Sequence, residues 1–537
     1  MQSLTTFSER GASPVVPLEE LGSWLLGAAA ELGGGLIIGL VAARMLTARQ
    51  LHWSWAAVCV PPTALLWAGH GAWTFTLAVA SVTATRAARR RHNEDVASGG
   101  DLARIAAGRR GPLSLLEGAR GRAELHRRRL AGPGGWHTGR EVVLAVEEPG
   151  RIISVPCPGE REGRHMLVVG ATGSGKTVTQ TWLVVRAIEQ GAGAVVVDPK
   201  GDPQMRADLR RAADTAGRRF LEWTPDGPCV YNPYARGGET EIADKALAGE
   251  RFTEPHYLRQ AQRYLGHLVR ALRRSDVEVS LHGIVDNLDP DRLEVLARSL
   301  PEPQAGATHD YLDSLTARQR ADLAGVRDRL AILAESDVGV WLDPQANDSA
   351  QFDLLQATEE RAVVYFDLQS DSRPLLAQIL GAAIVQDLQT TVAALQGRPV
   401  PTVVAIDEFS AVSAEHVVRL FGRARSAGVS LLLGTQELSD LRVPGRERLL
   451  EQVMGNLSVL VAHRQVVPAS AELIASLAGS RGAWRVASHS DGRSTRTRTR
   501  EAVLDADEVR NLGTGWAAVL VVEAGGGVRI GRVLRPA

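Results

Sequence analysis

The sequence predicts an α/β protein: a doubly wound, mainly parallel sheet with an all-α insertion, preceded by a transmembrane helical hairpin. Three observations carry that expectation. Short apolar runs such as Ala194–Val197, Ala362–Phe366, Thr402–Ile406 and Val429–Leu433 alternate with helix-length stretches, the pattern of parallel strands covered on both faces. From about Glu239 to Ser349 this alternation gives way to charged, helical periodicity without β-branched runs, clearest over His256–Arg273 and Ala317–Leu333. From Trp53 to Thr85 there is no Asp, Glu, Lys or Arg, a run longer than the ~20 residues that cross a bilayer.

At the N-terminus, Leu21–Ala43 is a second span candidate, apolar except for Glu31. Its Leu, Ile and Val residues favour insertion by roughly 4–5 kcal/mol, and a central acid costs about 2.5–3.5 kcal/mol. Insertion is therefore marginal and needs the neighbouring span, with Glu31 turned toward a partner helix or subunit. Glu9, Glu19 and Glu20 precede this stretch, which argues against a cleaved signal peptide. Arg86, Arg89, Arg90 and Arg91 follow the second span and place the rest of the chain in the cytoplasm. The expected anchor is thus residues 1–85, with spans at about 21–43 and 55–83, in a multi-pass arrangement in the inner (cytoplasmic) membrane.

Residues 86–140 carry 13 arginines against five acids. They are expected to form a basic cytoplasmic linker, facing lipid headgroups or contacting nucleic acid. The whole chain has a net charge of zero, so charge must be read locally. The three cysteines, Cys59, Cys157 and Cys229, are far apart and imply neither a disulfide framework nor a zinc site.

Two short strands, Glu141–Val146 and Ile152–Val155, lead into the apolar run ending at Val169. Then comes Gly170-Ala171-Thr172-Gly173-Ser174-Gly175-Lys176-Thr177, which fits G-x-x-x-x-G-K-[ST], and a helix-compatible stretch, Val178–Gln190, follows. Strand, glycine-rich loop and helix are the context in which backbone N–H groups and a helix N-terminus cradle phosphates. Lys176 is expected to reach the β- and γ-phosphates of a nucleoside triphosphate, ATP, and the Thr177 hydroxyl to ligate Mg²⁺. The fold is therefore expected to be of the P-loop, RecA-like type. Composition points the same way. The chain has only three lysines, Lys176, Lys200 and Lys245, against 58 arginines, and two of the three fall in motifs.

Asp407 and Glu408 end the Thr402–Ile406 strand. Asp407 is placed to hold Mg²⁺, and Glu408 to orient and deprotonate an attacking water. Gln436, at the tip of the next strand, is placed to sense the γ-phosphate or position water. Arg423 and Arg425 end the intervening helix. Arg425 either caps that helix or points across a subunit interface to stabilise transferred charge. Glu239–Ser349 interrupts the nucleotide-binding domain, leaving its two parts at 141–238 and 350–537.

The segments HMLVVGATGSGKT (165–177), DPKGD (198–202), YNP (231–233), VVAIDEF (403–409) and ARSAGVSLLLGTQ (424–436) occur in that order. With the hairpin and the helical insertion they resemble the type IV coupling proteins of conjugation and secretion, within the FtsK–HerA superfamily of ring ATPases. The resemblance covers roughly residues 20–535. It implies a membrane-anchored homo-hexamer that hydrolyses ATP at subunit interfaces and delivers DNA, single- or double-stranded, to a secretion channel. The cargo would include a bound relaxase or other secreted substrate. It also implies that Lys176 and Thr177 bind phosphate and metal, that Gln436 is the sensor, and that Arg425 is a finger from a neighbouring subunit. Two other readings share the motifs: an FtsK/HerA-like double-stranded DNA translocase, and a secretion ATPase that engages protein alone.

Overall fold

The computed structural model describes residues 18–48, 53–59, 72–97, 112–148, 150–160, 162–249, 252, 254–346, 348–442, 448–488, 494–522 and 527–536. The chain divides into two compact units. One comprises residues 1–123, 149–151 and 481–501, the other 124–148, 152–480 and 502–537.

In the first unit, a helix at Leu18–Ala48 packs on another at Ala72–Ala97. Gly35 and Gly39, spaced G-x-x-x-G, permit the close approach. A Cβ on Gly35 would lie 2.8 Å from the Thr76 carbonyl oxygen, and one on Gly39 would lie 2.6 Å from that of Ala80. Small residues at this spacing let two apolar helices meet backbone to backbone. The residues pointing away, including Leu25, Leu36, Ile37, Leu40 and Met45, are exposed. Glu31 is half-buried. Leu25–Leu46 is long and apolar enough to cross a membrane. The expected second span, 55–83, includes residues 60–71, which lie outside the described residues. Its described parts are a 3₁₀ turn, Trp53–Cys59, and the start of the Ala72–Ala97 helix. The basic segment expected as a linker is helical over its described residues up to Ala97 and again at Pro112–Leu130. The unit also contains most of a two-stranded hairpin, given below as β13 and β14.

The strands in chain order are β1 (His137–Thr138), β2 (Glu141–Glu147), β3 (Arg151–Pro156), β4 (Met166–Val169), β5 (Gly193–Asp198), β6 (Phe220–Trp223), β7 (Val230–Tyr231) and β8 (Gln351–Phe352). They continue as β9 (Val363–Asp367), β10 (Thr402–Ile406), β11 (Val429–Thr435), β12 (Val459–Ala462), β13 (Ser480–Ser488), β14 (Ser494–Ala502), β15 (Trp516–Val521) and β16 (Val528–Val533). Twelve of them form one sheet in the order β1-β2-β16-β15-β12-β4-β11-β10-β5-β9-β6, with β3 paired to β2. From β12 to β6 every pairing is parallel. Beyond β12 the pairings of β15, β16, β2 and β1 are antiparallel.

The central strands are buried on both faces, which is why they read as unbroken apolar runs rather than alternating ones. Their side chains nevertheless divide by a period of two. Leu167, Val169, Val404, Ile406, Leu431 and Leu433 enter one core; Met166, Val168, Val403, Ala405 and Leu432 enter the other. Helices Lys176–Glu189 and Pro203–Thr215 cover the second face. Pro374–Ala394 and Phe409–Ala424 cover the first. Pro374–Ala394 is apolar enough to span a bilayer, yet it is mostly buried, as expected for a helix packed in a core.

Two features of the topology have no local signature in the sequence. β4 and β5 are joined by one helix but are not neighbours, because β11 and β10 lie between them. The Tyr231 strand is not an edge of the main sheet; it pairs with β8 in a separate two-stranded sheet. Between β7 and β8 the described elements are helical: Glu239–Leu247, Pro255–Leu272, Leu281–Asp286, Pro290–Ala297, Glu302–Asp313, Ala317–Ala334 and a 3₁₀ turn. Leu265, Leu268, Leu330 and Leu333 from these helices enter the same core as the sheet's first face.

Candidate active site

The strand order brings the functional segments to one edge of the sheet. Thr435 of β11 pairs with Val169 of β4, and Ile406 of β10 pairs with Leu433 of β11 and Val197 of β5. The residues that follow these strand ends, Gly170, Gln436, Asp407 and the Asp198–Asp202 turn, therefore emerge side by side. This is the carboxyl edge of a doubly wound sheet, where ligands bind. At this edge lies a cleft of about 380 Å³ whose lining includes Lys176, Thr177, Lys200, Asp407, Glu408 and Gln436. A larger cleft of about 960 Å³, beside Trp136, Trp182 and Arg186, contains no phosphate-loop residue.

The loop turns into its helix at Gly175, whose φ of 112° is open to glycine and strained for other residues. Lys176 is the first helical residue. Its Nζ lies 2.7 Å from Glu408 Oε1 and 3.1 Å from Asp407 Oδ1, and its side chain is only 8% exposed. Gln436 Nε2 donates to the same Glu408 Oε1 at 3.0 Å, and the Thr172 hydroxyl lies 3.5 Å from Gln436 Oε1. Glu408 sits at the N-cap of the next helix with φ 43° and ψ 41°, an unusual conformation for a non-glycine residue. Lys176 and Gln436, from widely separated segments, thus meet at the Glu408 carboxylate.

The electrostatics follow from burial and these contacts. Burial raises the Asp407 carboxyl above its ordinary range, with Lys176 pulling the other way. Burial would also raise Glu408, but its contacts with Lys176, Gln436 and Lys200 hold it below the ordinary range. Glu408 is thereby kept as an anion. Thr177 and Asp407 both line the cleft; a hydroxyl and a carboxylate are ligand types that Mg²⁺ accepts, since it takes few protein ligands and completes its shell with phosphates and water. Among the described residues no group of three or more His, Cys, Asp or Glu side chains could hold a metal alone.

Arg425 is not at this edge. It follows the helix Phe409–Ala424 just before β11 begins, is exposed, and its Nη2 donates to the Asn456 carbonyl at 3.0 Å. The seven residues of β11 separate it from the phosphate loop by roughly 20 Å, at about 3.3 Å per residue. Within one chain it cannot reach its own nucleotide cleft.

Two residues of the site were not singled out from sequence. The Gln180 amide, oriented so that both its atoms are satisfied, donates to Asp407 Oδ1 at 3.1 Å and accepts from Gly434 N at 3.2 Å. His463 lies buried beneath the loop, with Nε2 2.8 Å from the Thr179 hydroxyl and Nδ1 2.9 Å from the Trp516 carbonyl oxygen. Burial lowers His463 to about 4, so the ring is neutral and Nδ1–H donates to Trp516. A lone Gln inside a helix and a lone His after a strand carry no signal of their own; only the strand register gives them partners.

A family model described as the type IV secretion-system coupling protein DNA-binding domain matches residues 150–512. The chain belongs to this coupling-protein family. Solved structures of the same fold include the bacterial conjugative coupling protein TrwBΔN70 in an unbound form. It is 18% identical, with a TM-score of 0.56, over 76% of this chain and 90% of that one. TrwB in complex with ADP and Mg²⁺ is 19% identical, with a TM-score of 0.53, over 71% of this chain and 88% of that one. TrwB bound to a non-hydrolysable ATP analogue is 17% identical, with a TM-score of 0.51, over 76% and 91%. No curated protein matches the sequence. In this coupling-protein chain the segments quoted for the resemblance all lie within the described residues.

Proposed function

We propose that the chain is a membrane-anchored ATPase that couples hydrolysis to delivery of DNA, with a bound relaxase or other secreted substrate, into a conjugation or type IV secretion channel. The observation that carries this reading is the convergence of Lys176, Asp407, Glu408 and Gln436 in one cleft at the carboxyl edge of the sheet. Lys176 and the loop N–H groups bind the β- and γ-phosphates of ATP. Mg²⁺, when held by Thr177 and Asp407, neutralises developing phosphate charge. Gln436 orients the attacking water, and Glu408 accepts its proton as ADP and phosphate form. Nucleotide and Mg²⁺ bound to TrwB support ATP and Mg²⁺ as ligands, and the DNA-binding description of the family model supports DNA as cargo.

The remaining parts of the proposal extend beyond that cleft. Leu25–Leu46, packed on the Ala72–Ala97 helix, anchors the chain in the cytoplasmic membrane with the catalytic domain inside. Six copies form a ring in which Arg425 of one chain serves the cleft of the next, consistent with its distance from its own. Residues 239–349 form an all-α domain inserted between the two parts of the nucleotide-binding domain, 141–238 and 350–537.

Site-directed variants of the full chain test the reading. Lys176→Ala is expected to lose nucleotide affinity. Glu408→Gln is expected to bind ATP normally and hydrolyse it at least about 100-fold more slowly. Hydrolysis by Glu408→Gln at the unmodified rate would remove Glu408 as the base.

A further inference from the structure

We infer that Lys200 is a positioning residue for Glu408: it holds one carboxylate oxygen so that the other is free to take the proton from water. The inference rests on the reading of Glu408 as the general base. Lys200 Nζ lies 3.1 Å from Glu408 Oε1, and Lys200 lines the nucleotide cleft. Lys176 and Gln436 reach the same oxygen, at 2.7 and 3.0 Å. All three donors thus converge on Oε1, and among the described residues none donates to Oε2.

The turn that carries Lys200 is fixed by its neighbours. Asp198 Oδ1 accepts from the Lys200 and Gly201 amides, both at 3.0 Å, and Oδ2 accepts from Asp202 N at 2.7 Å and the Tyr365 hydroxyl at 2.8 Å. Asp202 in turn caps the helix Pro203–Thr215, accepting from Gln204 N and Met205 N. The two aspartates of the DPKGD segment are occupied with backbone amides and the Tyr365 hydroxyl. Lys200 is the residue of that segment whose side chain meets the cleft.

The contact matters because Lys176 has a competing task. An ammonium that turns toward β- and γ-phosphate oxygens gives up contact with Glu408. Lys200 and Gln436 then keep Oε1 held. The Lys200 side chain is 44% exposed and that of Glu408 10%, so the pair has one buried end, and the cation can hold its partner without being locked itself. A single-point ammonium also suits the geometry better than arginine, whose planar fork engages both oxygens of a carboxylate. In a chain with 58 arginines and three lysines, lysine at 200 leaves Oε2 open.

Steady-state hydrolysis by full-length protein, with ATP and ADP affinities measured in parallel, tests this. Lys200→Met is expected to lower kcat by about 10- to 100-fold, with both affinities within about twofold and an unchanged melting temperature. Lys200→Arg is expected to restore less than half of the lost kcat. In a Glu408→Gln background, Lys200→Met is expected to add no further loss. An unchanged kcat in Lys200→Met, a selective loss of ATP over ADP affinity, full activity in Lys200→Arg, or an added loss in the double variant would each overturn the inference. Failure of the underlying reading gives a different result: Glu408→Gln alone would hydrolyse normally.

Discussion

Every lysine in this chain is engaged with a carboxylate. Lys176 and Lys200 meet at Glu408, and Lys245 pairs with Asp387 at 2.6 Å. Sequence composition alone marked these positions as unusual, and the phosphate-loop lysine and the Asp407-Glu408 pair were legible because each sits in a motif with a known mechanical role. Gln180 and Gly434 were not legible. A Cβ on Gly434 would lie 2.3 Å from Asp407 Oδ1 and 2.4 Å from the Gln180 amide, so a side chain is excluded where β11 passes β10. That conflict arises from the register between two strands and leaves no local trace. Gly434→Ala is expected to destabilise the fold by about 1–3 kcal/mol and to cut hydrolysis by up to about 100-fold through displaced Asp407. Thermal melting and kcat measured together check this; a variant with unchanged kcat would show that Asp407 tolerates the shift.

Among the elements, the helical segment is tied to the sheet-covering helix Pro374–Ala394 by a buried polar cluster. Lys245 Nζ donates to the carbonyl oxygens of Pro233 and Arg236 at 2.9 and 2.7 Å, while Tyr231 donates to Asp387 Oδ2 at 2.8 Å. The YNP segment, visible in sequence only as part of a resemblance, thus has a physical role: it joins the helix Glu239–Leu247 to Pro374–Ala394. Breaking a buried pair by removing one partner leaves an uncompensated charge. Lys245→Met is therefore expected to cost about 3–5 kcal/mol in chemical denaturation, and a loss below 1 kcal/mol would mean Asp387 finds another partner. Acid acts on a different element. His165 accepts from Leu431 N at 3.2 Å, and burial lowers it to about 3, as it lowers His463 to about 4. Both rings are neutral when folded, and an unfolded chain takes up protons near pH 6.5. Their contribution is complete above pH 6.5 and is lost as pH falls toward 4 and 3. The melting temperature is expected to drop between pH 7 and pH 5, less steeply in His463→Asn; equal slopes in the two proteins would contradict the assignment.

For the whole molecule, the element sequence was readable and the strand order was not. Apolar runs located the parallel strands β4, β5, β9, β10 and β11 within a few residues, since burial on both faces leaves an uninterrupted signal. Nothing local specifies that β11 and β10 intervene between β4 and β5, yet that insertion is what sets Gln436 and Asp407 against the phosphate loop. Arg425, far from its own cleft, makes sense as a finger only across a subunit boundary. Mixing Arg425→Ala with Glu408→Gln subunits is expected to restore part of the hydrolysis that each lacks alone, and no recovery at any ratio would contradict action in trans. Under the proposed function, hydrolysis in this cleft drives DNA movement. The most direct test is ATP hydrolysis by the full chain in lipid discs at low, stated salt, with and without matched single- and double-stranded DNA. Hydrolysis is expected to rise with DNA and to lose that rise in Glu408→Gln; a rate indifferent to both DNAs would overturn the proposed function and favour a motor for protein alone.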